Sequence, residues 1–204
     1  MTQTSTPSTK DVALYFARNV NWDFFYSAVD TLGDSLNSPK NRFDKSDILE
    51  LAIDIFSDGA IRHTNLTGRD FFIPAFGLHC EMKYETDLLF TPRGKVRRFI
   101  SLTLVNTMGS NDRRSLPEDY SPFLLAVGSL GAAVVSRTTL ETYLDTDSDS
   151  GQIKAKNIPN SEFEFVITPT QQLKRRVVAN FDYSAAKLDL QKKFLNRFKS
   201  TLEG

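Results

Sequence analysis

The chain has 204 residues with 25 basic and 25 acidic side chains, so its formal net charge is zero, and 40% of its residues are hydrophobic. This composition is typical of one globular domain, and the balanced charge excludes a protein that coats nucleic acid by bulk charge. A single cysteine, Cys80, excludes an internal disulfide framework, and no apolar run approaches the ~18 residues of a membrane span, so a cytoplasmic protein outside the membrane is expected.

Two aromatic-rich helices are predicted near the start of the chain, over residues 9–20 and 22–36. Apolar side chains recur at helical spacing in both segments, most clearly in the second. Their aromatic content either packs into the core of the chain itself or covers a dimer partner, because buried aromatic residues are enriched at interfaces. A third helix is predicted to begin at Asp44 or Ser46 and to end near Ser57.

A tight β-hairpin is predicted over residues 69–83, with a type I turn at residues 74–77 that has Pro first and Gly last. This four-residue turn sets Asp70 opposite Glu81 on the neighbouring strand. Because successive side chains of a strand alternate between its two faces, Lys83 lies on the same face as Glu81, and the intervening apolar residues face the core. We expect the charged face to line a cleft.

The side chains on that face suit hydrolysis of a phosphodiester bond. Cross-strand neighbours lie roughly 5 Å apart at Cβ, so Asp70 and Glu81 could together bind Mg²⁺, which prefers oxygen ligands at about 2.1 Å. Such a cation polarises the phosphate and acidifies a water molecule, while the amine of Lys83 orients or deprotonates that water. The hairpin therefore predicts a magnesium-dependent hydrolytic site.

The pattern Asp-x10-Glu-x-Lys, placed across a hairpin after an amphipathic helix, resembles the core motif of the PD-(D/E)XK nuclease superfamily. At this chain length it is most similar to a type II restriction endonuclease. The resemblance covers residues 46–144, and Arg69 stands where the family has a proline. It implies a Mg²⁺-dependent endonuclease that cuts a short site in double-stranded DNA as a homodimer, because the two-fold symmetry of the protein matches that of a palindromic site.

The resemblance also implies a role for each residue of the site. Asp70 and Glu81 would be the metal ligands, and Lys83 would lie beside the attacking water. The helix before the hairpin often lends an acidic residue to the metal site in this family, and Glu50 is the matching position here. His79 precedes Glu81 by two residues on the same strand face, where it could touch the site.

Asp58 is the alternative to Asp70 as the first metal ligand. It stands in an Asp-Gly step at a helix end, where a short polar side chain commonly serves the turn itself. Asp70 is favoured because the hairpin register places it on one face with Glu81. A register slip of one residue would turn Asp70 to the opposite face and leave the site one carboxylate short.

After the hairpin, two strands over residues 84–90 and 96–106 are predicted to form a second ribbon, joined by a turn at residues 91–94. The family usually has a helix at this point. A basic two-stranded ribbon fits the DNA major groove, and other local basic clusters could steer a phosphate backbone. The residues predicted to contact DNA are Arg93, Lys95, Arg97, Arg98, Arg113, Arg114, Lys174, Arg175 and Arg176.

The remaining elements complete the predicted fold. They are two buried strands over residues 123–128 and 132–136, a helix over 138–144, a strand over 162–167, a strand or loop over 174–178, and a closing helix over 184–202. Continuous apolar strands followed by a helix indicate an α/β (α+β) fold with a central mixed sheet flanked by helices. We expect one domain over residues 1–204, with a restriction-endonuclease-like core over roughly 44–144 and the helices of 9–36 available for dimerisation.

Two functions from other classes compete with the nuclease. One is a non-catalytic nucleic-acid-binding protein that uses the same basic clusters. The other is a structural or assembly protein in which Glu81 and Lys83 form a surface ion pair. No small-molecule cofactor is expected, because the chain has no P-loop, dinucleotide-binding or nucleophile-elbow motif.

Overall fold

The computed structural model describes residues 6–27, 45–66, 68–106, 115–145 and 152–178. The helices are α1 (Thr9–Asn19), α2 (residues 22–27), α3 (Lys45–Phe56), α4 (Arg137–Thr142) and α5 (Pro169–Val178). The strands are β1 (Arg62–Leu66), β2 (Arg69–Ile73), β3 (Leu78–Tyr84), β4 (Phe99–Asn106), β5 (Phe123–Val127), β6 (Ala132–Ser136), β7 (Gln152–Pro159) and β8 (Glu164–Ile167). The predicted closing helix over 184–202 and residues 28–36 of the second predicted helix lie outside the described residues.

A six-stranded sheet in the order β1-β2-β3-β5-β6-β8 forms the centre of the fold. Its neighbouring strands pair antiparallel except β3 and β5, which are parallel. Strands β4 and β7 form a separate antiparallel pair. The predicted fold class, a mixed sheet flanked by helices, is confirmed. Among the described residues, no helix is both long enough and apolar enough to cross a membrane.

The central sheet is covered on both faces. On one face it packs against α1, α2 and α3, and on the other against the β4–β7 pair and α4. Every residue of β5 is buried, as the continuous apolar run predicted, because parallel and central strands covered on both sides have no polar face. The charged residues of β3 therefore lie within a covered sheet.

The aromatic residues of α1 and α2 belong to the core of the chain itself. Phe16, Trp22, Phe25 and Tyr26 are each at most 1% exposed. The indole N–H of Trp22 donates to the carbonyl of Phe16 at 3.0 Å, and the Tyr26 hydroxyl donates to the carbonyl of Gly128 at 3.1 Å. Of the two uses predicted for these aromatic side chains, the structure places them in core packing.

The predicted register of the hairpin is confirmed. Ile73 pairs with Leu78 across the turn, and both Phe76 and Gly77 donate their backbone N–H to the carbonyl of Ile73. Gly77 has a φ of +63°, a left-handed conformation that glycine adopts without steric cost. The turn therefore sets the alignment that the site depends on.

Of the predicted second ribbon, the strand over 96–106 is present as β4, but the strand over 84–90 and the pairing of the two are wrong. Strand β3 ends at Tyr84, and the following residues form a turn in which the N–H of Leu88 bonds to the carbonyl of Glu85 at 3.2 Å. Leu88, Leu89 and Phe90 are all buried in succession, which a ribbon strand with one face in solvent would not permit. The turn at 91–94 is present, but only an isolated bridge flanks it, and β4 pairs with β7 instead.

Two strands and one helix differ from the sequence prediction. Strand β1 is a polar segment without apolar alternation, and the alternation of β7 is interrupted where Asn157 adopts a φ of +56°, so neither was predicted. The predicted strand or loop over 174–178 is instead part of α5. This helix begins with Pro169, and the Gln171 side chain accepts a hydrogen bond from the N–H of Thr168 at 2.9 Å. Both features are typical of a helix N-terminus, and they lie before the segment 174–178 on which the prediction was based.

Substitution of Gly131 by alanine is expected to destabilise the fold. A Cβ there would lie 2.5 Å from the carbonyl oxygen of Ile167 and 2.5 Å from the Phe90 ring, so the backbone of β8 and the Phe90 ring must shift. We expect Gly131→Ala to lower the free energy of unfolding by about 1–3 kcal/mol in urea denaturation. Gly128→Ala in the same β5–β6 connection is the matched control, because its nearest neighbour would be 3.4 Å away. Equal stability of the two variants would contradict this packing.

Candidate active site

Asp70 lies where β2 and β3 stop pairing through their backbones. The strand ladder covers residues 71–73 and 78–80, and the carboxylate of Asp70 then accepts the backbone N–H of Met82 at 2.6 Å. The Asp70 side chain is thereby held against the β3 strand beside Glu81. Asp58, in contrast, is exposed in a left-handed conformation at the end of α3 with a φ of +53°, which is a turn position.

Glu81 is the most buried charged residue of the hairpin, with 3% of its surface exposed. Its Oε1 atom bonds to the Nζ atom of Lys83, whose side chain is 31% exposed. Its Oε2 atom is buried and has no hydrogen-bond partner among the described residues. The charged face of the hairpin was predicted to line an open cleft, but the Glu81 carboxylate is buried. Solvent reaches the site beside Asp70 and Lys83, whose side chains are partly exposed.

The environment of the two carboxyl groups favours their protonated forms. Burial, followed by the charges of Glu81 and Glu50, raises the pKa of Asp70 to about 8. Burial also raises the pKa of Glu81 above its usual range, although Lys83 acts in the opposite direction. Asp70 and Glu81 each influence the pKa of the other, so the two carboxyl groups lie close together. Ionising both carboxyl groups at once costs electrostatic free energy, because two negative charges would then lie close together. The pair therefore holds a proton, which a cation could replace.

The pair has the number of protein ligands that is typical of a Mg²⁺ site, and fewer than a site in which protein side chains enclose the metal. Within the described residues, no group of three or more His, Cys, Asp and Glu side chains is arranged to hold a metal ion. Mg²⁺ is commonly bound through one or two carboxylates and completes its coordination with water and substrate phosphate. Asp70 and Glu81 are two such carboxylates, and Oε2 of Glu81 has no hydrogen-bond partner in the described part of the chain.

Glu50 and His63 form a buried pair next to this site. The Oε2 atom of Glu50 lies 3.2 Å from Nε2 of His63, and Glu50 is only 8% exposed. The charge of Glu50 raises the pKa of both Asp70 and Glu81, so it acts on the pair electrostatically. Sequence reasoning selected Glu50 but missed His63, because β1 has no apolar alternation to reveal it as a strand.

His79 has a packing contact rather than a bond to the carboxylates. Its ring lies 5.2 Å from the ring of Phe72, the residue directly across the hairpin. Its Nδ1 atom is buried, and no residue of the described chain forms a hydrogen bond with it. The proposed contact of His79 with the site stays a prediction.

Tyr120 is a residue near the site that sequence reasoning missed. Ser121, the next residue, donates its N–H and hydroxyl to the carbonyl of Gly68, at 3.1 and 2.7 Å. The Tyr120 ring consequently packs on Gly68, two residues before Asp70. Burial and the charges of Glu81 and Asp70 raise the pKa of the Tyr120 hydroxyl above its usual range. No motif identifies such a residue, because only the fold brings it to the hairpin.

The predicted DNA-contacting residues fall into distinct groups. Arg93, Lys95 and Arg98 are exposed, whereas Arg97 is partly buried and its Nε–H bonds to the carbonyl of Asp87. A Cβ on Gly94 would lie 3.7 Å from Pro169, so the turn at 91–94 packs beside the start of α5. The exposed basic residues of α5 are Lys174 and Arg175. Arg113, Arg114 and the side chain of Arg176 lie outside the described residues.

The raised pKa of Asp70 predicts that the stability of the metal-free protein, measured in the presence of a chelator, depends on pH. The carboxyl group has a pKa of about 8 in the folded state, against about 3.9 in an unfolded chain. Because the folded state binds this proton more tightly, the stabilisation is complete below about pH 4 and is lost as the pH rises towards 8. We expect Asp70→Asn to lack this decrease in stability at high pH. Its melting temperature should exceed that of the wild type at pH 8, and the difference should shrink towards pH 5.

Asp58→Asn is the control for this measurement, since an exposed aspartate at a turn should leave the pH profile unchanged. Thermal denaturation in EDTA at several pH values would compare the three proteins. The same slope with pH for the wild type and for Asp70→Asn would contradict the assigned environment of Asp70.

Searches with this chain against protein-family models, curated proteins and solved structures gave no match. The function is therefore inferred from the side chains of the site and their geometry. The residues with the most informative geometry are Asp70, Glu81 and Lys83, on two adjacent strands of a covered sheet.

Proposed function

We propose that this chain is a Mg²⁺-dependent endonuclease that hydrolyses phosphodiester bonds in double-stranded DNA and resembles a type II restriction enzyme. The observation that carries the proposal is the pair of carboxyl groups of the partly exposed Asp70 and the buried Glu81, with one oxygen of Glu81 bonded to the amine of Lys83. Perturbed ionisable groups that meet at one point are characteristic of functional sites.

Stability alone does not account for this arrangement. Two carboxyl groups that are removed from water next to each other cost free energy, and one lysine offsets the charge of only one of them. A surface ion pair between Glu81 and Lys83, as in an assembly protein, would leave Glu81 exposed, whereas it is 3% exposed. A site that binds a cation compensates for the repulsion between the two carboxylates.

Each residue of the site has a distinct proposed role. Asp70 and Glu81 would hold Mg²⁺. A bound Mg²⁺ ion would polarise the phosphate and lower the pKa of a water molecule. Asp70 is oriented for this by the N–H of Met82, which fixes one carboxylate oxygen. Lys83 carries its charge at the partly exposed side of the site, where it would attract the phosphate and orient the water. Glu50 adds negative charge that favours the cation.

The DNA would approach the exposed basic residues around the turn at 91–94 and α5. Arg98 lies over the exposed ring of Phe99, with its guanidinium carbon 5.3 Å from the ring centre, so its charge is presented on an apolar surface. Local basic groups of this kind contact phosphates even when the net charge of the chain is zero. A cytoplasmic homodimer cutting a two-fold symmetric site completes the proposal.

Removal of any one of the three central side chains should abolish cleavage. We expect Asp70→Asn, Glu81→Gln and Lys83→Ala to lower the rate of plasmid cleavage in Mg²⁺ by at least about 100-fold, the scale of a lost acid–base group. DNA binding without metal should hold or rise in the first two variants, because each removes a carboxyl group whose ionised form repels phosphate.

Asp58→Asn is the matched control and should cut normally, since it removes one charge from an exposed aspartate near the same hairpin. Cleavage should also stop in EDTA. Cutting at nearly the wild-type rate by any of the three site variants would contradict the assignment.

Neutralising two exposed basic residues should flatten the salt dependence of DNA binding. Each phosphate contact contributes roughly 0.9 to the slope of log affinity against log salt, so Lys95→Gln with Arg98→Gln should reduce the slope by about 1.8. The control is Lys10→Gln with Arg18→Gln, which removes the same charge from exposed positions of α1, on the opposite face of the sheet. An unchanged slope in the first double variant would place the DNA elsewhere.

A further inference from the structure

Two buried oxygen atoms near the carboxyl pair have no partner in the described part of the chain. They are Oε2 of Glu81 and the hydroxyl oxygen of Tyr120, in residues that are 3% and 4% exposed. Buried polar atoms almost always form hydrogen bonds, and those that do not generally indicate a bound water, ion or ligand. These two atoms therefore require an explanation.

Both residues lie on the same face of the central sheet. Glu81 and Lys83 pair with Leu124 and Ala126 of β5, and paired residues of neighbouring strands share a face. Tyr120 packs in the apolar cluster that contains Leu124 and Ala126. Among the charges that raise the pKa of the Tyr120 hydroxyl, that of Glu81 has the largest effect. The phenol and the carboxylates thus border one common region.

The backbone on both sides of Tyr120 is fixed. The guanidinium group of Arg137 donates to the carbonyls of Glu118 and Tyr120, at 3.1 and 3.0 Å. Ser121 is bonded to Gly68, and Arg69 donates from Nε to the carbonyl of Asp119 at 2.7 Å. The segment is therefore attached both to α4 and to the first residues of β2, so the position of the phenol relative to Asp70 is set by the fold.

We propose that the Tyr120 hydroxyl donates a hydrogen bond to an oxygen atom, of a water molecule or of a phosphate, that is bound at the Asp70–Glu81 pair, and so positions that oxygen. The identity of this ligand rests on the proposed function. A phenol is a suitable donor here because its ordinary pKa of about 10 keeps it protonated at neutral pH. One oxygen between the cation site and the phenol would satisfy the hydroxyl while the cation satisfies Glu81.

The first test is Mg²⁺ binding without DNA, measured by calorimetry and by the rise in melting temperature on adding Mg²⁺. Tyr120→Phe removes a hydroxyl that has no protein partner, so its melting temperature in EDTA should equal or exceed that of the wild type. If the oxygen belongs to water, Mg²⁺ affinity should fall about two- to tenfold, the effect of one hydrogen bond.

The second test separates phosphate from water. If the oxygen belongs to a phosphate, Mg²⁺ affinity should be unchanged in Tyr120→Phe, while KM for DNA rises by a similar factor. Tyr26→Phe is the control, because its hydroxyl bonds to the carbonyl of Gly128. It should lower the melting temperature equally with and without Mg²⁺, and should leave both Mg²⁺ affinity and KM unaltered.

The outcomes distinguish this inference from the proposed function. Unchanged Mg²⁺ affinity and unchanged KM in Tyr120→Phe, together with loss of Mg²⁺ binding in Asp70→Asn, would overturn the role of Tyr120 and leave the cation site in place. Absence of Mg²⁺ binding by the wild-type protein would overturn both.

Discussion

The central constraint of this structure is the repulsion between two carboxyl groups, Asp70 and Glu81, that the hairpin brings together away from water. Their proximity is maintained by backbone geometry, because the turn at 74–77 sets the register and the N–H of Met82 holds one carboxylate. The apolar strands β5 and β6 next to them are buried almost throughout and supply the packing that offsets the cost. Binding of a cation between the two carboxyl groups would relieve this repulsion.

The connection between the parallel strands β3 and β5 determines what surrounds the pair. Parallel neighbours need a long crossover, and here it contains the basic turn at 91–94, strand β4 and the segment with Tyr120. Because β4 pairs with β7, the crossover covers one face of the sheet without a helix of the kind that the resemblance to PD-(D/E)XK nucleases implied at this point. One connection therefore supplies an exposed basic surface, the second layer of the core and a buried phenol beside the hairpin.

Local chemistry was sufficient to predict the hairpin but not its surroundings. The Pro and Gly of the turn at 74–77 and the apolar runs of β5 and β6 are short-range signals, so the register of Asp70 and Glu81 could be derived from them. Strand β1 is polar and gives no apolar alternation, although its partner β2 follows it directly in the chain. The irregular register near Asn157 interrupts β7, whose partner β4 is distant in sequence. Burial of Glu81 and the approach of Tyr120 result from tertiary packing, which no local pattern encodes.

The most direct measurement of the central claim is a crystal structure of the protein grown with Mn²⁺, with anomalous scattering used to locate the ion. The account predicts one peak between the carboxylates, at about 2.1 Å from an oxygen of Asp70 and from an oxygen of Glu81, with Lys83 still beside Glu81. Manganese bound only elsewhere, with no ion between the two carboxyl groups, would contradict it.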